Sequence, residues 1–138
     1  ETKLINNWMV TPACDHDSQS LEPLMEEADA GQPLYGDAAY VAQEAIIEAC
    51  RMINKIHEKG AKGKPLTDEQ KESNRQKSKS RARVEHVFGF MTNSMKAMYI
   101  RTIGYVRAVA KIGLTNLTYN LMRCVQLNKK VYNVFIWE

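Results

Sequence analysis

Glu85 stands in the run Arg81-Ala-Arg-Val-Glu-His-Val-Phe-Gly89, a lone carboxylate in an otherwise cationic stretch with a bare glycine one helical turn later. Read as a helix, Val84, Phe88, Met91 and Met95 form an apolar stripe, and Arg81, Glu85, Gly89 and Thr92 line the neighbouring face. Glycine inside a helix costs about 1 kcal/mol against alanine. Helical side chains lean toward the N-terminus, so the missing side chain at Gly89 leaves Glu85 uncovered. An acid so placed among bases suits a metal ion that works on phosphates.

A second acid, Asp37, follows Leu34-Tyr35-Gly36, which reads as a short buried strand. Ligands of open α/β sheets gather outside the carboxyl ends of strands, where the backbone fixes a side chain well. On local chemistry alone Asp37 reads equally as the N-cap of a helix beginning near Tyr40. The bases Arg75, Lys77, Lys79, Arg81 and Arg83 lead into Glu85 with no large apolar residue before Val84, and Lys96 lies eleven residues beyond it, nearly back on the same helical face. Such a run is most often a solvated face; used as phosphate contacts it gives salt-dependent, sequence-independent affinity for DNA. His16 and His57 lie in polar surroundings and read as surface residues, and His86 points about 100° away from Glu85 on a helix. Asp17 reads as an N-cap and Asp15 as a solvated loop acid.

Four separated blocks carry a resemblance: Val10 to Met25 (VTPACDHDSQSLEPLM), Leu34 to Tyr40 (LYGDAAY), RARVEHVFGFM around Glu85 with Asn74-Arg75 before it, and Ile100 to Arg123. In this order they resemble the C-terminal part of bacterial insertion-sequence transposases of the DDE type. The resemblance implies a ribonuclease-H-like catalytic domain whose Asp, Asp and Glu hold two Mg²⁺ ions, replaceable by Mn²⁺, for DNA strand cleavage and transfer. It places the second Asp on Asp37 and the Glu on Glu85, and it gives the first Asp no counterpart here, so the chain reads as a C-terminal portion. Of the family's Tyr, Arg, Glu, Lys signature, Arg81 and Glu85 match, while Ser78 and Thr92 occupy the Tyr and Lys positions. The same resemblance implies a bacterial cytoplasmic enzyme that acts on transposon ends and target DNA as a homo-oligomer. The competing readings are a catalytically inactive DNA-binding remnant and an inert α/β fragment.

The elements that must position these residues follow from periodicity. Leu4 to Val10 reads as a strand that stops at Thr11-Pro12 and shares one sheet with Leu34 to Gly36; Ile53 to His57 reads as a brief edge strand. Helices are expected over 18–29, with Leu21, Leu24, Met25 and Ala28 inward, over 41–52, with Ala42, Ala45, Ile46 and Ala49 inward and Ile53 continuing the set, and over 81–95. Lys59 to Pro65 reads as a flexible basic loop, and Thr67-Asp-Glu-Gln70 has the form of a capping box that starts a helix. Beyond Met98 the apolar spacing predicts a helical cap, in which Tyr119-Asn120 matches the family without an assignable chemistry. The tail Val131 to Trp137 reads as an added strand, a dimer contact or a frameshift product. The fold class is therefore α/β: a ribonuclease-H-like mixed sheet flanked by helices, incomplete at its N-terminus. Residues 1–98 form the partial catalytic domain, with the basic loop and helix at 59–83, and 99–138 a helical extension of it.

Composition agrees with a folded domain rather than a disordered one, at 138 residues with 44% hydrophobic and 25% charged. The net charge of +3 hides an asymmetry. Residues 1–48 hold Lys3 against ten acids, 51–83 hold eleven bases against four acids, and 84–138 hold seven bases against Glu85 and Glu138. A basic half points to a polyanionic partner. Cys14, Cys50 and Cys124 are too few and too widely spaced for a disulfide framework or a zinc site and read as reduced thiols. No apolar run reaches the roughly 18 residues of a membrane span.

Overall fold

The computed structural model describes residues 2–132 apart from Ala13, His16 and Met98. The chain divides into two compact units, a central one, Met9–Arg83, and a terminal one, Glu1–Trp8 with Val84–Glu138. The expected surface role of His16, and the tail beyond Tyr132, lie outside the described residues.

The central unit is built around a two-stranded parallel sheet, β1 (Pro33–Leu34) beside β2 (Ile53–Asn54), in the register Pro33 to Ile53 and Leu34 to Asn54. The ladder bonds extend past both strands. The N–H groups of Ile53, Lys55 and His57 donate to the carbonyls of Gln32, Leu34 and Gly36 at 3.0, 2.9 and 3.2 Å. Parallel strands need a crossover, supplied here by a 3-10 segment, Ala38–Gln43, that runs into α2 (Glu44–Ala49). α1 (Leu21–Leu24) lies upstream of the sheet. Leu21, Ile47 and Ile56 form the core of this unit, with Met25, Leu34, Tyr40, Ile46 and Met52 packed against them. A Cβ at Gly36 would stand 2.6 Å from Ile56 Cδ1, so any larger residue there displaces the end of that core side chain.

Two helix expectations for this unit are corrected, and the expected basic loop takes a defined form. The helix over 18–29 is broken into a 3-10 turn at Asp17–Ser20, α1, and a second 3-10 turn at Glu27–Asp29. Met25 turns extended and Glu26 caps the next turn through a reciprocal pairing with Asp29, so the local capping box outcompetes helix continuation. Asp17 begins the first turn, and Ser20 is the N-cap residue of α1. In the crossover, the tighter 3-10 winding shifts the phase of the apolar positions: Ile47 becomes the buried residue while Ala42, Ala45 and Ala49 are exposed and Ile53 is half exposed in β2. Finally, residues 59–65 close a turn in which Ala61 and Lys64 exchange N–H to C=O bonds at 3.1 and 2.9 Å, with Gly63 at φ +81°.

α3 (Asp68–Asn93) contributes residues 68–83 to the central unit and 84–93 to the terminal one. Its start is the expected capping box: the Thr67 N–H donates to Gln70 Oε1 at 3.0 Å and the Gln70 N–H to Thr67 Oγ1 at 3.2 Å. In the terminal unit Met91 is buried and Phe90 meets Tyr119 edge to face at 5.8 Å, whereas Val84 and Phe88 of the expected stripe are half exposed. α4 (Tyr105–Tyr132) is the expected C-terminal helix.

Leu4 to Val10 forms no strand. Its backbone is claimed by α4 instead: the Ile5 N–H donates to Asn120 Oδ1 at 2.9 Å and Asn120 Nδ2 donates to the Ile5 carbonyl at 2.8 Å. One side-chain amide thus satisfies both polar groups of a residue that a neighbouring strand would otherwise pair. The Tyr119 hydroxyl donates to the Lys3 carbonyl at 2.9 Å and Arg123 Nε to the Thr2 carbonyl at 2.8 Å. Tyr119-Asn120 therefore has a structural job. Trp8 lies over Gly113, where a Cβ would come within 2.9 Å of the indole.

Candidate functional site

Asp37 caps the crossover. Its backbone is extended at φ −83°, ψ 178°, and its Oδ1 accepts the Ala39 N–H at 2.9 Å. The cap orients the carboxylate at the end of the short ladder, one residue after the Gly36 carbonyl that receives the last parallel bond. Capping uses one oxygen. Asp37 is half-exposed, and its Oδ2, with no partner among the described residues, is a hard donor suited to a divalent cation.

Glu85 is exposed on α3, in the terminal unit, while Asp37 belongs to the central one. A Cβ at Gly89 would meet nothing within 4 Å, so the helix surface one turn beyond Glu85 is open. His86 leads elsewhere, its Nδ1 lying 2.9 Å from Lys3 Nζ. Among the described residues no group of three or more His, Cys, Asp or Glu is placed to hold a metal ion. The two acids are donors of the right kind for Mg²⁺ but do not by themselves make a site.

The basic run divides by face. At about 100° per residue, Arg75, Lys79 and Arg83 fall together on one side of α3, and Asn74, Lys77, Ser78, Arg81 and Glu85 on the other. Arg75 is paired: its Nε and Nη2 donate to Glu72 at 2.7 and 3.1 Å, which lowers the Glu72 pKa and raises that of the guanidinium. Lys77 is tucked inward, with a side chain only 16% exposed. Its ammonium donates to the Ile56 carbonyl at 2.9 Å and to Glu58 Oε1 at 3.2 Å, and this hydrogen bond is the chief reason the Glu58 carboxyl is held below its usual range. Lys77 is thereby a strut between helix and chain.

The same side of α3 grips the segment after β2. Asn74 Oδ1 accepts the Glu58 N–H at 2.9 Å and Nδ2 donates to the Glu58 carbonyl at 3.0 Å. Ser78 Oγ donates to the Asn74 carbonyl at 2.8 Å and lies 3.1 Å from His57 Nε2, an arrangement in which the imidazole is the donor. Sequence reasoning left Asn74 and Ser78 without a role. The available signal was a pair of polar residues at i, i+4 on the face that also carries Glu85.

Lys96 does not share the face of Glu85. α3 stops at Asn93, Lys96 sits in a left-handed conformation at φ 53°, and the Ala97 N–H closes the end on the Met91 carbonyl at 3.0 Å. Thr92, Asn93 and Ser94 are poor helix formers that compete for backbone groups, as the Thr92 Oγ1 bond to the Phe88 carbonyl at 2.8 Å illustrates.

Residues 1–121 match the family model described as Transposase DDE domain. The chain is also 28% identical over 116 residues to the transposase for insertion sequence element IS1106 of Neisseria meningitidis serogroup B. That match covers 83% of this chain and 40% of the relative, so the chain spans about two fifths of the length of the protein it matches. No solved structure matches it. With most of its length matched by the model, the chain belongs to the Transposase DDE domain family.

Proposed function

We propose that the chain is the C-terminal part of a ribonuclease-H-like catalytic domain of a DNA transposase, which in its complete form cleaves DNA strands and transfers them to a target. The family match over residues 1–121 carries this reading, and we assign Asp37 and Glu85 to the motif's second Asp and its Glu. In it, residues 1–98 belong to the catalytic core and 99–138 extend the same domain. Within the central unit, contacts tie the neighbourhood of Asp37 to α3. Gly36, next to Asp37, receives the His57 N–H, and His57 meets Ser78 of α3.

Asp37 and Glu85 supply two of three carboxylates, and the third comes from polypeptide outside these residues. Mg²⁺, or Mn²⁺ in its place, would stabilise the attacking and leaving oxygens of phosphodiester displacement. The chain's own contribution is to aim the Asp37 carboxylate through its cap and to present Glu85 one turn before the open position of Gly89. Lys79, Arg81 and Arg83 are the cations we assign to phosphate contacts. The complete enzyme acts in the bacterial cytoplasm, as a homo-oligomer on transposon ends and target.

The test is Mg²⁺-dependent nicking of DNA by the longer encoded polypeptide, with Asp37→Asn and Glu85→Gln each expected to reduce it to background. Nicking that survives Glu85→Gln would refute the assignment. The 138-residue chain alone should bind a labelled duplex weakly. With three phosphate contacts its affinity should fall about fortyfold between 50 and 200 mM salt. Salt-dependent binding with no nicking by any longer form would favour the inactive DNA-binding remnant.

A further inference from the structure

The terminal unit holds a cleft of about 160 Å³ lined by Lys3, His86, Phe90, Tyr119, Arg123 and Gln126. The hydrogen bonds around it leave only donors over. The Lys3 ammonium has no lone pair, so at 2.9 Å it donates to His86 Nδ1, and the neutral ring carries its proton on Nε2. Arg123 Nη1 donates to Gln126 Oε1 at 3.2 Å, which leaves the Gln126 amide nitrogen as the remaining polar group of that side chain. The acceptors nearby are already used, since the Tyr119 hydroxyl donates to the Lys3 carbonyl and Arg123 Nε to the Thr2 carbonyl. No carboxylate lines the cleft, and among the described residues neither Lys3 nor Arg123 forms an ion pair. The backbone is bent to build this arrangement: Lys3 sits in the left-handed region at φ 58°, a conformation costly for any residue but glycine, and the Tyr119 and Arg123 bonds hold it there.

We infer that this cleft is an anion site that takes one phosphate group of a DNA backbone. Two cations that face one cavity with no counter-ion repel each other, and a bound anion turns that cost into two charge-assisted bonds. The donors come from three segments, the start of the chain, α3 and α4, and so surround the cleft. That arrangement suits a tetrahedral anion with oxygens on several sides better than a carboxylate, whose two oxygens lie in one plane. The basic half of the chain selects a polyanion as the source, and a phosphate contact fixes the position of a strand without reading its sequence. The inference goes beyond the proposed function, whose phosphate contacts at Lys79, Arg81 and Arg83 belong to the central unit.

The test follows the His86 ring and Arg123 Nε–H signals by NMR in the 138-residue chain, as sodium phosphate replaces sodium chloride at constant ionic strength. Both signals should shift and saturate. Lys3→Gln, which keeps the backbone carbonyl that Tyr119 binds, should weaken the phosphate response about tenfold or more. A short DNA duplex should move the same two signals. One phosphate contact is worth about 3.5-fold in duplex affinity between 50 and 200 mM salt, and Lys3→Gln should remove that share of the salt dependence. Acetate as effective as phosphate, or a phosphate response undiminished in Lys3→Gln, overturns the site. Signals that respond to inorganic phosphate and not to duplex overturn the assignment to DNA and make a free phosphate the occupant. Silence of both signals in the longer encoded polypeptide also overturns it, because other polypeptide then fills the cleft. A longer polypeptide that binds duplex through Lys3 yet never nicks it would sink the proposed activity and leave this inference standing.

Discussion

Asn74 and Asn120 perform the same operation in the two units. Each projects from a long helix and binds the N–H and the C=O of one residue in an extended segment, Glu58 in the central unit and Ile5 in the terminal one. The surroundings differ. Around Asn74 the support is ionic and hydroxylic, with Lys77 on Glu58 and the Ile56 carbonyl, and Ser78 beside His57. Around Asn120 it is aromatic and directed at carbonyls, with Tyr119 on Lys3 and Arg123 on Thr2. An asparagine amide can stand in for a strand edge in either setting, and the neighbours decide which solution conditions loosen it.

The largest effect expected is from removing the amides. Asn120→Leu leaves the half-buried N–H and C=O of Ile5 without their partner, at a cost of about 2 kcal/mol. Asn74→Leu should cost less, because Lys77 and Ser73 still tie Glu58 to α3. Thermal unfolding gives the totals, and amide exchange locates them: the Ile5 amide should lose most of its protection in the first variant and the Glu58 amide only part in the second. Equal losses would mean that the flanking side chains contribute nothing and that the two clasps are one device.

A smaller effect separates the clasps by pH. Glu58 lies below its ordinary 4.5, mainly because Lys77 donates to it, so its contribution is present above that value and is lost as pH falls through the lowered one. Tyr119 is shifted the other way. Burial raises it above 10.0, partly offset by Arg123, so its contribution is present below 10.0 and is lost as pH rises through the raised value. Acid should therefore loosen the Glu58 amide first and alkali the Ile5 amide first. Lys77→Met should weaken Glu58 protection at pH 7 and flatten its acid dependence. A clasp at Glu58 that loosens equally in acid with and without Lys77 would break the distinction.

The parts legible in the sequence were those governed by local chemistry. The Thr67–Gln70 capping box, the long α4 and the short strand before Asp37 follow from side-chain capping, helical spacing and the Gly36 constraint. The misread parts depended on competition between partners. Leu4 to Val10 has the composition of a strand, and only the position of Asn120, more than a hundred residues away, diverts its backbone. Val84 and Phe88 have the spacing of a buried stripe, yet Met91 is the member of that stripe that is buried, and Phe90, outside it, meets Tyr119. For the candidate site, Lys77 looked like any other base in the run until Glu58 was found beneath it.

The smallest effect expected is at Gly89, and it has two signs. No atom lies within 4 Å of the position a Cβ would take, so Gly89→Ala adds no clash. It removes the conformational freedom that glycine brings to a helix interior, and the terminal unit should gain up to about 1 kcal/mol in thermal or urea unfolding. Neither asparagine clasp should respond, since neither touches this turn. If the open surface beside Glu85 is where metal and DNA approach, the same methyl group should slow nicking by the longer polypeptide while raising its stability, with Gly89→Val slower still. A Gly89→Ala protein that is more stable and nicks as fast as its parent would show that the bare turn serves something other than access to Glu85. It would also move the search for the approach surface to the Arg75, Lys79 and Arg83 side of α3.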